Sequence, residues 1–300
     1  MSPRRNAASS PGKTLGRTWT LPPLPDVVLE PIVKLALAED LGVAGDVTTD
    51  ALIDPETQAR WRLVARQAGI VAGLDAAILA GFLTDPETEF TVHAQDGARV
   101  KAGDTIMELS GAARSLLMAE RTMLNFVGRL SGVATLTRAY VDAVAGMDAV
   151  IASTRKTTPG LRALEKRAVR LGGGGAHRYG LDDAILIKDN HIAAVGSVSA
   201  ALERARAYAS HLMCIEVEVE SLEQLKEALP FAPTVIMLDN FTLGEMKAAV
   251  KLAKGKTLLE ASGGITIENV FAVAETGVDV ISIGALTHSA RALDVALDAV

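Results

Sequence analysis

The sequence predicts an α/β protein in which an N-terminal α/β sandwich precedes an open, incomplete parallel α/β barrel. In the second half of the chain, short β-branched apolar runs alternate with helical segments, as in parallel βα units, whereas the first 115 residues lack this rhythm. The apolar runs number six, fewer than the eight strands of a closed barrel, so we expect an open or irregular barrel. The runs are Ala149–Ser153, Ala184–Ile187, Met213–Val217, Thr234–Leu238, Thr257–Ala261 and Val280–Ile283.

The chain begins with a basic segment over residues 1–25. The first acidic residue is Asp26, and the basic residues before it are Arg4, Arg5, Lys13 and Arg17. The segment is rich in Ser, Pro and Gly and has no hydrophobic run like that of a secretory signal peptide. We expect a disordered tail. An organellar transit peptide, which shares this Arg-rich and acid-poor composition, is the alternative.

Residues 26–131 are expected to form the sandwich domain. Hydrophobic patterning predicts a short helix over 31–40 and strands over 60–65, 69–72, 89–94 and 104–109, with turns between them. The stretch 115–144 has helical periodicity. Because glycine destabilises a helix interior, we expect Ser131-Gly132 to divide this stretch into two helices, at the predicted domain boundary.

Residues 132–287 are expected to form the barrel and to carry the active site. Predicted helices over 198–209 and 242–252 alternate with the apolar runs. The end of the chain, residues 288–300, is predicted as a helix that either closes the barrel or packs on the first domain.

Composition argues against several functional classes. The formal net charge of −6 over 300 residues argues against a nucleic-acid-binding surface, and no apolar run reaches the ~18 residues that a membrane span needs. Cys214 is the only cysteine, which excludes an internal disulfide. It lies in an apolar strand pattern, so we expect it to be buried. A lone cysteine fits a reducing compartment, and we expect a cytoplasmic protein without nucleic-acid or membrane partners.

Each predicted barrel strand ends on residues suited to binding anions or sugars. Parallel βα units bring the carboxyl ends of their strands to one face, so these residues are expected to line one pocket. Positive charge is concentrated there, because the segment from Arg155 through Lys188 holds eight Lys or Arg and three acids. An acidic protein with such a cluster is predicted to be an enzyme that binds a small polyanion.

Two glycine loops are candidate phosphate sites. Ser262-Gly263-Gly264 follows a predicted strand and is expected to open an apolar helix, where backbone N–H groups and the helix dipole favour an anion. The next predicted strand ends in Gly284-Ala285, and barrel enzymes often bind phosphate at the loops after their last two strands. A tight turn that merely requires glycine is the alternative.

The candidate anion-binding side chains are Arg155, Lys156, His177, Arg178 and Lys188. Arginine suits bidentate recognition of carboxylates, whereas lysine acts as a point charge on phosphate, so the mixture indicates more than one kind of anionic group. The run Gly172–Gly175 follows a predicted helix and lacks the Gly-Lys-Ser/Thr of a P-loop. We interpret it as a flexible cover that brings His177 and Arg178 to an anion.

Two acids, Glu218 and Asp239, are predicted at neighbouring strand ends. Carboxylates opposite a polyphosphate commonly hold sugar hydroxyls or help to seat Mg²⁺. The alternative is that they form salt bridges with Lys156 and Lys188. Both interpretations can be true in the empty enzyme. The five histidines show no zinc-ligand spacing, which argues against a structural zinc site.

Taken together, these motifs resemble the quinolinate phosphoribosyltransferase family, from about residue 28 to the C-terminus. Several motifs in one order make the resemblance specific. The segments that carry it are Glu120-Arg121 with Leu124-Asn125, Thr154–Gly160, Gly172–Gly174 with His177-Arg178, Leu186–His191, Glu216–Val219, Met237–Phe241 and Ser262–Gly264. Gly175-Ala176 departs from the family pattern, which has a larger residue and then Asn, and this affects the detail of the loop.

The resemblance implies an N-terminal sandwich, an open α/β barrel and a homodimer whose active sites are completed across the interface. It also implies a reaction in de novo NAD biosynthesis: quinolinate and phosphoribosyl pyrophosphate give nicotinate mononucleotide, pyrophosphate and CO₂, with Mg²⁺ as cofactor.

Carried over by position, the resemblance assigns catalytic roles to Lys156, Lys188, Glu218 and Asp239, with Arg121 donated by the partner subunit. Glu218 and Asp239 would hold the ribose hydroxyls and Mg²⁺, the latter largely through substrate and water. The expected substrate-binding set is Arg121, Thr154, Arg155, Lys156, His177, Arg178, Lys188, Glu218, Asp239, Ser262, Gly263, Gly264, Ile283, Gly284 and Ala285.

Three alternative functions remain open at this point. One is a phosphoribosyltransferase with another pyridine-like acceptor such as nicotinate, although the number of arginines favours a dicarboxylate. A second is a Schiff-base aldolase that uses Lys156 or Lys188 as its nucleophile. The third is a barrel that binds its ligand without turnover.

Overall fold

The computed structural model describes residues 21–253 and 255–300. The predicted basic tail over residues 1–25 falls mostly outside the described residues. Residues 21–25 form an extended segment that leads into the first helix.

The described chain contains two main layers of secondary structure in the predicted order. The helices are α1 (Asp26–Leu41), α2 (Val47–Leu52), α3 (Leu74–Thr84), α4 (Ala113–Ala143), α5 (Arg162–Leu171), α6 (Asp189–Val195), α7 (Val198–Tyr208), α8 (Leu222–Ala228), α9 (Leu243–Ala253), α10 (Val270–Ala274) and α11 (Ala285–His288). The strands are β1 (Gln58–Ala65), β2 (Gly69–Ile70), β3 (Glu89–Val92), β4 (Arg99–Val100), β5 (Thr105–Ala112), β6 (Val150–Ala152), β7 (Ile185–Ile187), β8 (Ile215–Val219), β9 (Val235–Asp239), β10 (Leu258–Ser262), β11 (Val280–Ser282) and β12 (Val295–Ala299).

The N-terminal layer is an antiparallel sheet covered by helices. Its strand order in the described chain is β12-β1-β5-β3, and β2 pairs separately with β4. Leu63 of β1 and Leu109 of β5 are fully buried against the helical layer, as an antiparallel sheet with one covered face requires. The predicted sandwich is confirmed. The sequence patterning had not revealed the helices α2 and α3.

The predicted C-terminal helix is wrong. Residues 295–299 form β12, which pairs antiparallel with β1, so that Trp61 lies opposite Ala299. Val295 and Leu297 pack against the core. The open edge of β1 offers the chain end a full set of backbone hydrogen bonds and an apolar face, and this tertiary pairing outweighs local helix propensity. The chain end therefore returns to the first layer, which was one of the two expected destinations.

The C-terminal layer is a parallel sheet with strand order β6-β11-β10-β9-β8-β7 in the described chain. All six predicted barrel strands are confirmed, with their bounds shifted by one or two residues. No strand ladder joins β6 to β7 among the described residues, and beyond β6 there is a single bridge between Ala152 and Gly175. The barrel is therefore open, as its six strands predicted.

One long helix connects the two layers, so the predicted break at Ser131-Gly132 is wrong. α4 runs without interruption from Ala113 to Ala143. Ser131 uses its hydroxyl to bond both the N–H and the C=O of Ala72, at 2.9 and 3.2 Å. A Cβ at position 132 would collide with the backbone of Arg291. These small residues let other chain segments approach the helix closely, and that packing offsets the low helix propensity of glycine.

The prediction that Cys214 is buried is also wrong. Cys214 is exposed, because it lies just before β8 begins at Ile215. Within residues 21–253 and 255–300, no helix combines the length and the apolar character that crossing a membrane requires.

Candidate active site

The carboxyl ends of the parallel strands surround a cavity of about 620 Å³. Residues at or just after the carboxyl ends of all six parallel strands meet in it, which is the arrangement that parallel βα units produce. The lining residues are Thr154, Arg155, Lys156, His177, Arg178, Leu186, Lys188, Glu218, Met237, Asp239, Asn240, Ser262, Gly263, Gly264 and Ser282.

Eleven of the fifteen residues expected to bind substrate lie in this lining. The other four are Arg121, Ile283, Gly284 and Ala285. Ile283 belongs to the hydrophobic core, and Gly284 packs beneath Lys156, because a Cβ at Gly284 would lie 2.9 Å from the Lys156 Cδ. Arg121 is exposed on α4 and takes no part in the lining.

The remaining lining residues, Leu186, Met237, Asn240 and Ser282, were not among the residues expected to bind substrate, although the first three lie in segments that carry the family resemblance. Each lies within two residues of the carboxyl end of a barrel strand. That position was the available signal, but apolar and small side chains there have no chemical signature of their own.

The loop at Ser262 requires its two glycines. Gly263 and Gly264 have φ angles of +94° and +60°, which L side chains rarely adopt. A Cβ at Gly263 would also lie 2.7 Å from the Asn240 Cγ. The helix expected directly after this loop begins only at Val270, so the predicted contribution of a helix N-terminus is wrong. Any anion held here would rely on the loop's own backbone N–H groups.

The loop that carries Arg155 and Lys156 is held from behind by a buried ion pair. The Glu165 side chain is fully buried, and its Oε1 accepts hydrogen bonds from the Arg129 guanidinium at 2.7 Å and from the Thr158 hydroxyl at 2.7 Å. Its Oε2 accepts the Thr158 N–H at 3.0 Å. Arg129 also donates to the carbonyls of Ala290, at 2.8 Å, and Thr287.

Thr287 completes this arrangement, because its buried hydroxyl donates to the carbonyl of Lys156 at 2.8 Å. We call Arg129, Thr158, Glu165 and Thr287 the anchor cluster. It joins α4, the loop 154–160 and the segment after β11. Sequence reasoning included Thr158 only as part of the motif Thr154–Gly160 and missed Arg129, Glu165 and Thr287, since a glutamate and an arginine on different helices have no spacing that relates them.

At the opposite rim, acids and a lysine meet. The Lys188 Nζ lies 3.4 Å from Glu218 Oε2, so the salt bridge weighed as an alternative is present for this pair. Burial and then the charge of Asp239 raise the pKa of Glu218, while Lys188 opposes the rise. Asn240 donates to Asp239 at 2.8 Å. Because the carboxylate of Asp239 lies close enough to raise the pKa of Glu218, the two residues form a site that attracts a cation.

Beneath His177 lies a second buried cluster, which we call the acid floor: His177, Glu216 and Glu260. The His177 Nε2 lies 3.6 Å from Glu216 Oε2 and 3.5 Å from Glu260 Oε1. Burial, followed by the charge of Glu260, raises the pKa of Glu216 to about 7. Burial lowers the pKa of His177, but Glu260 and Glu216 outweigh it and the net shift is upward.

Sequence reasoning included Glu216 in a segment that carries the family resemblance but gave it no role, and it missed Glu260. The available signal was a glutamate inside the apolar run Leu258–Ala261. Three ligand atoms of the acid floor lie within 4.8 Å of one another, the one such group among the described residues.

Lys166 of α5 is a further cation that sequence reasoning missed. Its Nζ donates to the His177 carbonyl at 3.3 Å and thereby ties the glycine-rich loop to the helix. Burial, followed by the charge of Arg162, lowers the pKa of Lys166 to about 8. Lys166 therefore lies among other positive charges, which include those of Arg155 and Arg178.

Comparisons with known proteins show the family of the chain. Residues 46–131 match the family model for the quinolinate phosphoribosyl transferase N-terminal domain, and residues 133–298 match the model for its C-terminal domain. The chain is 49% identical to a nicotinate-nucleotide pyrophosphorylase [carboxylating] from Mycobacterium leprae, over 89% of this chain and 95% of that protein. It is 45% identical to a probable enzyme of the same name from Bacillus subtilis, over 90% of this chain and 93% of that protein.

The fold has close counterparts among solved structures. NadC from Streptococcus pyogenes superposes with a TM-score of 0.89 at 42% identity, over 93% of this chain and 98% of that one. A nicotinate-nucleotide pyrophosphorylase from Francisella tularensis superposes with a TM-score of 0.88 at 39% identity, over 92% and 97%.

Proposed function

Because the chain belongs to the quinolinate phosphoribosyltransferase family, we propose a specific division of roles among its pocket residues for that family's reaction. The enzyme transfers the phosphoribosyl group of phosphoribosyl pyrophosphate to quinolinate and releases pyrophosphate and CO₂, which gives nicotinate mononucleotide for NAD biosynthesis. The observation that carries the assignment of roles is the meeting of five cationic side chains, two acids and one glycine loop in a single cavity.

The cations divide between the two substrates. Quinolinate carries two carboxylates, and Arg155, Arg178 and His177 are the side chains suited to them, because guanidinium and imidazolium groups donate directional hydrogen bonds. Lys156 and Lys188 act as point charges on the pyrophosphate. That both lysines line the same cavity as the arginines supports this division.

The ribose and its 5′-phosphate contact the two acids and the glycine loop. Glu218 and Asp239 accept hydrogen bonds from the ribose hydroxyls. The loop Ser262-Gly263-Gly264 binds the 5′-phosphate through its backbone N–H groups, which is supported by glycines whose conformation leaves that backbone accessible.

The residues present also fit Mg²⁺. Glu218 and Asp239 are hard oxygen donors close enough for the charge of Asp239 to raise the Glu218 pKa, and a cation would relieve this repulsion. Magnesium would supply charge neutralisation for the pyrophosphate, and these two residues would hold it, largely through substrate and water.

The reaction needs positioning and charge rather than a nucleophile from the protein. As the bond from the ribose C1 to the pyrophosphate oxygen breaks, the electron pair leaves with pyrophosphate, and Lys156 and Lys188 stabilise its charge. The pyridine nitrogen forms the new bond to C1. When the carboxylate next to that nitrogen leaves as CO₂, the quaternised nitrogen stabilises the electron pair left on the ring carbon. A proton then replaces the carboxylate, so no Schiff base with lysine is required.

We further propose that the enzyme is a homodimer in which Arg121 enters the partner's active site. Arg121 is exposed on α4 and lies outside its own cavity. Beside it, α1 and α4 form an apolar groove of about 640 Å³ whose lining includes Ile32, Leu35 and Phe126. Leu35 is 71% exposed in the single chain, and a second copy of the chain would cover it.

Subunit mixing tests the shared site. Arg121→Ala dimers and Lys156→Ala dimers should each be inactive, and mixing them should restore part of the activity, because some mixed dimers contain one intact site. Absence of recovery despite verified subunit exchange would refute the donation of Arg121.

Product formation tests the assignment of the acceptor. Ring-labelled quinolinate, or nicotinate in a parallel reaction, is supplied with phosphoribosyl pyrophosphate and Mg²⁺, and labelled mononucleotide is measured. We expect product and CO₂ from quinolinate and none from nicotinate. Product from nicotinate alone would overturn the role of the arginines. Borohydride trapping of substrate on Lys156 or Lys188 would indicate an aldolase-like mechanism instead.

A cytoplasmic site of action is also proposed, supported by a single cysteine that fits a reducing compartment. Cell fractionation followed by detection of the protein tests it, and recovery outside the cytoplasmic fraction would contradict it.

A further inference from the structure

The acid floor has no role in the chemistry described above. Glu260 and Glu216 are 3% and 7% exposed, and each presents its carboxylate to the His177 Nε2. Within the described residues, Oε1 of both glutamates lacks a hydrogen-bond partner. Burying two carboxylates in this way is unfavourable unless neighbouring cations compensate for it.

Two cations act on the acid floor. His177 lies against both carboxylates, and the positive charge of Arg178 also acts on Glu216. A doubly protonated His177 is therefore placed to be stabilised by both glutamates. The other charged groups around the ring are Lys166 of α5, which opposes protonation, and Arg155, which acts on Arg178.

The two nitrogens of the His177 ring have different surroundings. Nε2 faces the glutamates, whereas Nδ1 is buried and has no hydrogen-bond partner among the described residues. A neutral ring with its proton on Nε2 would offer a lone pair at Nδ1, which repels a carboxylate. A doubly protonated ring offers an N–H donor there instead.

We propose that Glu260, assisted by Glu216, is a positioning residue that orients His177 as an imidazolium whose Nδ1–H binds a carboxylate of quinolinate. This inference rests on the proposed role of His177. The upward shift of the His177 pKa agrees with it. Glu260 itself touches no substrate and acts through the ring.

The test replaces Glu260 by the isosteric Gln, with exposed Glu275→Gln as the matched control. We expect Glu260→Gln to raise the KM for quinolinate by ~10-fold or more, the scale for losing an interaction with a charged group. The KM for phosphoribosyl pyrophosphate should stay within about 2-fold and kcat within about 3-fold on that scale, and Glu260→Asp should recover part of the loss. Equal changes in both KM values, or none, would overturn the proposal.

A spectroscopic measurement gives an answer even where a variant folds poorly. The ¹⁵N shifts of the His177 ring, assigned with a His177→Gln variant, report the protonation of each nitrogen in the free enzyme. At pH 6.5, the ordinary pKa of histidine, we expect both nitrogens of the wild-type ring to be largely protonated and the Glu260→Gln ring to be largely neutral. A neutral wild-type ring would overturn the proposal.

Metal analysis tests the alternative that a bound metal ion, rather than a protonated His177, compensates the charge of the acid floor. Stoichiometric transition metal in the purified wild-type enzyme, lost on Glu260→Gln substitution, would show that the cluster compensates its charge with an ion rather than an imidazolium. Failure of the wild-type enzyme to convert quinolinate would refute the proposed function, whereas a neutral ring in an active enzyme would refute the positioning role alone.

Discussion

The anchor cluster and the acid floor are both built on a buried glutamate, but they satisfy it differently. Glu165 in the anchor cluster receives hydrogen bonds from Arg129 and Thr158 on both oxygens. Glu260 in the acid floor faces a histidine at 3.5 Å and a second carboxylate, and its Oε1 lacks a hydrogen-bond partner within residues 21–253 and 255–300.

This difference indicates what each cluster does. A buried carboxylate with every oxygen paired holds its neighbours in one arrangement, which here fixes the loop that carries Arg155 and Lys156. A buried carboxylate with unused hydrogen-bonding capacity lowers the stability of the fold. Its negative charge acts on the neighbouring group, which here is the His177 ring. We therefore expect substitutions in the anchor cluster to lower stability and substitutions around the acid floor to alter substrate binding.

The largest effect is expected on removing the cation of the anchor cluster. Arg129→Ala leaves Glu165 buried without its partner, which should lower the free energy of unfolding by about 3–5 kcal/mol. Urea denaturation measures it. Arg138→Ala, which removes a partly exposed arginine of the same helix that pairs with the exposed Asp142, serves as the control and should change stability by about 0–1 kcal/mol. Equal losses of unfolding free energy in the two variants would contradict the stabilising role of the anchor cluster.

A side chain that the anchor cluster positions, but that is not part of it, should affect rate without affecting stability. Lys156→Ala should lower kcat by ~10²-fold or more if its charge acts in the transition state. The melting temperature should stay close to that of the wild type. Steady-state kinetics and thermal denaturation of the same preparation measure both. Normal turnover would remove Lys156 from the catalytic set.

The same chemical change in the two clusters should have different consequences. Glu165→Gln replaces two acceptor oxygens with one and should cost about 2–3 kcal/mol, since Arg129 loses its counter-ion. Glu260→Gln removes one of two neighbouring carboxylates, so its effect should stay within about 1 kcal/mol. Urea denaturation at pH 7 compares them, and a larger loss for Glu260→Gln would reverse our assignment.

The smallest effect on stability is expected at the exposed ion pairs of Asp142. They serve as the reference with which the stability changes in the two buried clusters are compared. Arg138 and Arg99 lower the pKa of Asp142 to about 2. A lowered carboxyl pKa adds stability above the unfolded value of 3.8, and this stability is lost as pH falls from about 4 to about 2. Because Asp142 is exposed, Asp142→Asn should cost about 0–1 kcal/mol at pH 7, with the difference vanishing near pH 2. A difference that persists at pH 2 would contradict the ionic origin.

The sequence predicted what local patterns encode. The barrel strands follow from β-branched runs such as Thr234–Leu238, and the cavity follows from the rule that parallel strands end on one face. Arg155, Lys188 and Glu218 were predictable because each stands directly at such an end. Their proposed roles rest on the family resemblance as well as on this geometry.

What escaped prediction depends on partners distant in sequence. Gly132 stays helical because the backbone at Arg291 packs against it, and β12 is a strand because the edge of β1 receives it. Glu165 looks like an ordinary charged residue in sequence, and the apolar run around Glu260 is the single hint that Glu260 is buried; the fold shows that both are. No periodicity could have related Arg129 to Glu165.

The pairing of β12 with β1 also constrains how the molecule is made. Arg66 and Asp298, which form an ion pair beside this ladder, are 232 positions apart in the sequence. During synthesis the edge of β1 stays unpaired until residues 295–299 have left the ribosome. Contacts this distant slow folding and expose unpaired strand edges in the meantime. The first sheet is thus completed by residues made more than two hundred positions after its first strand.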